Sequence, residues 1–170
     1  AGLLGAQDAS RVSFTMNATM ALNIALVGLL PDEGRAVTTA ASHNSVLRPL
    51  FRARDLRGVQ VEVARILPDG SLDWESYERA LEGGANLVAA THASNVTGDV
   101  YDVVRMASMA HDVGALFVLD AAQTAGAMPV DMAALGVDVL CFTGHKSLFG
   151  PQGTGGLIVR EGLEIAPLLE

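Results

Sequence analysis

The sequence predicts a layered α/β domain, one central sheet covered by helices, and three observations point to it. Short apolar or β-branched runs alternate with longer helical patterns along the chain. Two of those runs, LVAAT (87–91) and LFVLD (116–120), are apolar on both faces almost to their ends, as strands inside a covered sheet are. The 170 residues suffice for one hydrophobic core, and with 50% hydrophobic but only 5% aromatic residues that core is aliphatic.

Taken in order, strands are expected at Val12–Phe14, Ala36–Thr39, Gln60–Ala64, Leu87–Thr91, Leu116–Leu119, Val139–Phe142 and Gly156–Val159. Helices are expected at Thr19–Leu30, Ser45–Arg57, Trp74–Leu81 and Val103–Val113, with a short one near Met132–Leu135. Pro31 and Gly34 close the first helix, and Gly58 ends the second. No internal repeat interrupts the alternation, and glycines at the ends of apolar runs mark tight turns.

Composition narrows the function. A net charge of -8 with no basic stripe argues against nucleic acid. The one basic cluster, Arg48 to Arg57, reads as the solvated face of a helix. One cysteine, Cys141, rules out an internal disulfide and a cysteine-based metal site. The chain carries no secretory signal and no apolar run long enough for a bilayer, so the default location is cytoplasmic. It starts at Ala1 without methionine and stops at Glu170 soon after an apolar strand, which reads as a fragment of a longer protein.

In a covered α/β sheet, ligands bind beyond the carboxyl ends of the strands. Most of the polar chemistry follows predicted strands in this way. Phe14-Thr15-Met16-Asn17-Ala18-Thr19 opens an apolar helix whose first N–H groups make an anion site, or which Asn17 or Thr19 simply caps. His92-Ala93-Ser94-Asn95-Val96-Thr97-Gly98 follows the fourth strand; Asn95 can orient a ring hydroxyl or a carboxylate, or make a turn with Gly98, and His92 reads as structural. Asp120 directly follows an apolar strand, where a carboxylate is costly unless it meets a cation, a metal or several donors. It can cap the next helix, or hold a protonated ring nitrogen while Gln123 donates to a neighbouring oxygen. Thr143-Gly144-His145-Lys146-Ser147 follows the sixth strand, and Lys146 is the chain's single lysine. Desolvation and nearby positive charge turn such an amine into a nucleophile. A phosphate-binding Walker loop needs glycine where His145 stands, and no paired carboxylates or HExxH pattern supports a hydrolase.

The stretches FTMNATMALN, SHNSVLRPL, THASNVTG, DAAQTAG and FTGHKSLFGPQGTGG, in this order, resemble the class V aminotransferase group of fold-type I pyridoxal-phosphate (PLP) enzymes. Within it they are most similar to the cysteine desulfurase and selenocysteine lyase-like branch. The resemblance implies a three-layer α/β/α sandwich around a mainly parallel seven-stranded sheet, residues 1–170 forming the PLP-binding large domain. It implies that Lys146 forms the Schiff base (internal aldimine) with PLP and shuttles protons at the substrate's α-carbon. Asp120 would keep the pyridine nitrogen protonated, Gln123 would bond the phenolic oxygen, and His43 would stack on the ring. Ala18, Thr19, Thr143 and His145 would bind the phosphate, and Asn95 would lie near the ring oxygen or the substrate carboxylate.

The implied activity is a carbon–sulfur lyase acting on L-cysteine as a homodimer, with a sulfur-acceptor protein as partner. A class V aminotransferase of a small amino acid and a non-catalytic fragment that keeps the fold are the other readings. The family's persulfide-forming cysteine and carboxylate-binding arginine belong to a small domain beyond Glu170, and an N-terminal segment is also missing. Cys141, inside a predicted strand, reads as a small buried thiol.

Overall fold

Seven strands form a single sheet in the computed structural model, which describes residues 1–167. The expected fragment end at Glu170 lies outside these residues. The strands are β1 (Val12–Thr15), β2 (Arg35–Thr39), β3 (Gln60–Ala64), β4 (Leu87–Thr91), β5 (Leu116–Asp120), β6 (Val139–Thr143) and β7 (Gly155–Val159). Their order is β1-β7-β6-β5-β4-β2-β3. From β6 to β3 every pair is parallel, with Thr91 beside Asp120 and Asp120 beside Cys141. β7 runs antiparallel to both β6 and β1, so β1 points the same way as β6. The carboxyl ends of β1, β2, β4, β5 and β6 therefore share one edge of the sheet.

The alternation of side chains along the strands builds two cores. On one face Leu87, Ala89, Val118, Val139 and Cys141 meet Ala21, Leu22 and Leu26 of helix α1 (Ala18–Leu29) and Val46 and Leu50 of α2 (Asn44–Arg57). On the other, Val88, Ala90, Phe117, Leu119 and Leu140 meet Tyr77 and Leu81 of α3 (Trp74–Leu81) and Met106 and Ala110 of α4 (Val103–Asp112). The result is the three-layer α/β/α sandwich. Each fully buried leucine in these layers contributes roughly 2 kcal/mol. Tyr77 adds a polar link, its hydroxyl donating to the Met106 carbonyl at 2.9 Å.

Polar side chains start the helices. Asn17 accepts from the Met20 N–H, Asp73 from Ser76 and Asp102 from Arg105, while His43 caps α2 through its own ring nitrogen. Gly58 ends α2 at φ 68, as expected. The expected helix near Met132–Leu135 is instead a single turn. Asp131 accepts from Ala134 through its side chain and from Leu135 through its carbonyl, and Gly136 at φ 66 stops further winding. A segment pinned between Pro129 and Gly136 is too short to offset the cost of helix nucleation. Short 3₁₀ turns at Gly2–Leu4 and Ala9–Arg11, not expected from the sequence, precede β1. No helix among the described residues is long and apolar enough to cross a membrane.

Candidate active site

The carboxyl ends of the strands, and the loops and helix starts that follow them, carry the residues expected to hold the cofactor. Asp120 is the last residue of β5 and is 4% exposed. Its Oδ1 accepts the Ala122 N–H at 3.0 Å, and among the described residues Oδ2 has no hydrogen-bond partner. Burial pushes its carboxyl above the ordinary value of 3.8; the Ala122 N–H and the electrostatic influence of His43 and Lys146 oppose that shift. His43 and Lys146, from loops after two other strands, thus both lie within electrostatic reach of Asp120. Gln123, half-buried, sits in the turn that follows Asp120.

Lys146 is exposed, in a loop that doubles back on itself: Phe149 N–H donates to the Lys146 carbonyl at 2.9 Å and Gly150 N–H to Gly144 at 2.8 Å. The desolvation expected around this amine is not supplied by the chain itself. Just before it, Thr143 is buried, and its hydroxyl lies 3.1 Å from His145 Nδ1. The His145 ring is exposed.

The start of α1 lies at the same edge, because β1 leads into it. Asn17 uses its side chain on Met20, which leaves the Ala18 and Thr19 N–H groups outside the helix's own bonding. β7 packs so close to this turn that a Cβ on Gly155 would stand 2.7 Å from the Asn17 backbone. Thr19 Oγ1 is 2.7 Å from Ser45 Oγ, and Ser45 Oγ is 2.8 Å from His43 Nδ1. One chain of hydroxyls therefore joins the start of α1 to the His43 ring, itself exposed to solvent. Asn95 is also exposed, in a loop held by Ser94 Oγ, which accepts from Val96 and Thr97 at 3.2 Å. A cavity of about 450 Å³ opens between the loops after β2 and β4, lined by Ser42, His43, Asn44, Asn95 and Tyr101.

Another cavity, of about 250 Å³, opens at the opposite edge against Arg11, Met132 and Val137. Arg11 is occupied there by the carbonyls of Val159, Arg160 and Leu163, which makes it a structural tie.

Three supporting residues were not legible as such, whereas Cys141 is the buried thiol expected. Ser45 follows His43 by two positions and only the fold brings it to Thr19. Thr124 lies 3.1 Å from His92 Nδ1, which gives His92 its structural partner. Gly126, at φ 86, lies so near the Lys146 loop that a Cβ would stand 2.5 Å from the Ser147 carbonyl. The lone thiol of Cys141 is fully buried in β6, and burial pushes it well above its usual range.

Comparison with known proteins follows the same lines. The Aminotransferase class-V family profile matches residues 1–169. A probable cysteine desulfurase of Methanothermobacter thermautotrophicus is 40% identical over 99% of this chain and 42% of its own length. A probable cysteine desulfurase of Aeropyrum pernix is 42% identical over 93% of this chain and 40% of its own. The apo structure of a cysteine desulfurase from Thermococcus onnurineus NA1 superposes with a TM-score of 0.84 at 38% identity, over 89% of this chain and 38% of that one. The chain spans about two fifths of the length of these relatives. With the profile covering almost every residue, and the sheet and its carboxyl-edge loops in place, the chain belongs to the class-V aminotransferase family.

Proposed function

We propose that this chain is the cofactor-binding large domain of a PLP-dependent cysteine desulfurase, a carbon–sulfur lyase acting on L-cysteine. The observation that carries the reading is the convergence of the single lysine, a buried aspartate and a histidine at one strand edge. The names of the relatives point to the same substrate.

The residues present fit the cofactor. Asp120 offers a buried carboxylate with one oxygen unengaged, suited to a cationic ring nitrogen. The start of α1 offers unengaged N–H groups at the positive end of a helix dipole, suited to a phosphate. When bound, PLP supplies an electron sink for charge that develops at the substrate's α-carbon.

Everything else is the work of the chain. Lys146 Nζ would hold the cofactor and would take and return the proton at the substrate's α-carbon. Asp120 keeps the ring nitrogen protonated: a buried carboxylate short of partners gains most from a cation. Gln123 donates to the phenolic oxygen, and the His43 ring packs on the face of the cofactor. The Ala18 and Thr19 N–H groups, with the Thr143 hydroxyl and the His145 ring, hold the phosphate. Asn95 lies by the ring oxygen or the substrate carboxylate. Cys141 cannot accept the sulfur, because its thiol is buried and held protonated. By the family resemblance, the nucleophilic thiol and the carboxylate-binding arginine would belong to the family's C-terminal part. The working enzyme is a cytoplasmic homodimer that passes sulfur to an acceptor protein.

The test is borohydride reduction of the full-length protein after incubation with PLP, followed by peptide mapping. A pyridoxyl label on the Lys146 peptide, absent from Lys146→Ala, is the expected result. A full-length protein that shows no visible band and takes up no label overturns the reading, as does a label that persists in the variant.

A further inference from the structure

His92 has no part in the chemistry above, yet three segments of the site meet on it. It is 4% exposed at the carboxyl end of β4, and burial holds its imidazole below the usual range, so the ring is neutral at neutral pH. Its backbone N–H donates to the Asp120 carbonyl at 2.9 Å. Its Nδ1 lies 3.1 Å from Thr124 Oγ1, across in the turn after β5. Its carbonyl accepts the Tyr101 N–H at 2.9 Å, which closes the loop that carries Asn95.

Within the turn after β5, Ala122 N–H donates to Asp120 Oδ1, Thr124 and Ala125 N–H to the Ala121 carbonyl, and Ala127 and Met128 N–H to the Thr124 carbonyl, while Ala121 N–H ties the turn to the Cys141 carbonyl of β6. Asp120 and Gln123 stand on either side of it. Thr124 is buried at 2% exposure, and its hydroxyl is the side-chain contact by which the end of β4 holds this turn.

We propose that His92 is a positioning residue whose ring, through Thr124, clasps the turn that carries Asp120 and Gln123 in register for the cofactor ring, from a strand end whose backbone is itself tied to Asp120 and Tyr101. The inference rests on the PLP reading for its consequence, while the clasp itself is a property of the chain. A histidine that merely filled space would be replaceable by an apolar residue without touching the cofactor. A clasp is replaceable only by a side chain that reaches Thr124 with a polar atom.

The experiment uses the full-length protein with His92→Leu, His92→Asn, Thr124→Val, Thr124→Ser and the double variant His92→Leu/Thr124→Val. Two quantities are read: amide exchange over residues 121–125 without cofactor, and PLP affinity with the pH dependence of its visible band. Loss of one neutral hydrogen bond corresponds to a change of about tenfold at most. The expected result is faster exchange, PLP binding weakened by about that factor and a displaced band titration in His92→Leu and Thr124→Val. The double variant should be no worse than His92→Leu, because the two changes remove one bond. Asparagine, whose amide can stand near Nδ1, and serine, which keeps the hydroxyl, should restore both readouts.

Additive losses in the double variant overturn the proposal. So does an asparagine variant as impaired as the leucine one, or unchanged exchange in Thr124→Val. If the wild type takes up no PLP, the functional reading fails, and the exchange comparison alone decides whether the clasp exists.

Discussion

Two aspartates, each 4% exposed, stand at opposite edges of the sheet, and the fold treats them differently. Asp138, just before β6 at the amino edge, is fully engaged. Its Oδ2 accepts from Phe117 N–H at 2.7 Å and lies 2.9 Å from His111 Nε2, and its Oδ1 accepts from Arg160 Nε. Asp120, at the carboxyl edge, accepts one backbone N–H on Oδ1, and its Oδ2, without a partner among the described residues, keeps contact with solvent. Equal burial with unequal satisfaction separates a carboxylate that ties elements together from one kept for a partner the fold does not supply.

The largest effect belongs to the engaged carboxylate. Asp138→Ala strands the buried Phe117 N–H and removes the counter-charge of Arg160, so it should lower stability by about 3 kcal/mol. A urea titration of the cofactor-free protein checks this. A loss no greater than that of an exposed-residue variant would erase the contrast between the two edges.

Asp120→Asn should act in the opposite direction on the cofactor-free protein. Burial raises the native carboxyl above the ordinary 3.8, so folding favours its protonated form. That contribution is fully present below 3.8 and is lost as pH rises through the raised native value. The asparagine variant should therefore unfold at a higher temperature than wild type at neutral pH and lack this part of the pH slope. Adding PLP should reverse the ranking, since a cationic ring nitrogen benefits the carboxylate more than the amide. Activity should fall at least about a hundredfold if this pairing stabilises the transition state. Melting curves with and without PLP read both arms, and an asparagine variant that is the less stable of the two without cofactor would mean that Asp120 is a structural tie after all.

The sequence was most informative where residues act alone. Lys146 and Asp120 announced themselves because each breaks a local pattern, a lone lysine in a glycine-rich loop and a carboxylate after an apolar strand. All seven strands were legible because apolar runs bounded by turn residues have few other ways to fold; β3 and β4 match the expected bounds, and each other strand is longer by one residue at one end. What stayed hidden depends on partners distant in the chain. Ser45 and Thr19 are separated by 26 positions, and His92 and Thr124 by 32. The turn at Met132–Leu135 was misread because its short apolar pattern matches a helix, while Asp131 and Gly136 confine it to one turn. The exposure of Lys146 was equally invisible, since a loop's burial depends on what covers it.

The smallest expected effect tests whether the carboxyl edge acts as one unit. His43 Nδ1 accepts from the Ser45 N–H at 3.1 Å, which assigns the proton of a neutral ring to Nε2. Ser45 Oγ–H then donates to Nδ1, and its lone pairs are left for the Thr19 hydroxyl. Ser45→Ala breaks both hydroxyl bonds but keeps the backbone cap, so stability should change by no more than about 1 kcal/mol. PLP affinity should fall about threefold, less than in Asp120→Asn, because phosphate and ring contacts each lose some orientation and no charge is lost. Titration by visible absorbance measures this directly. A Ser45→Ala loss equal to that of Asp120→Asn would shift the weight of cofactor binding from the buried carboxylate to the hydroxyl chain. No loss at all would mean that His43 and the start of α1 hold their positions independently.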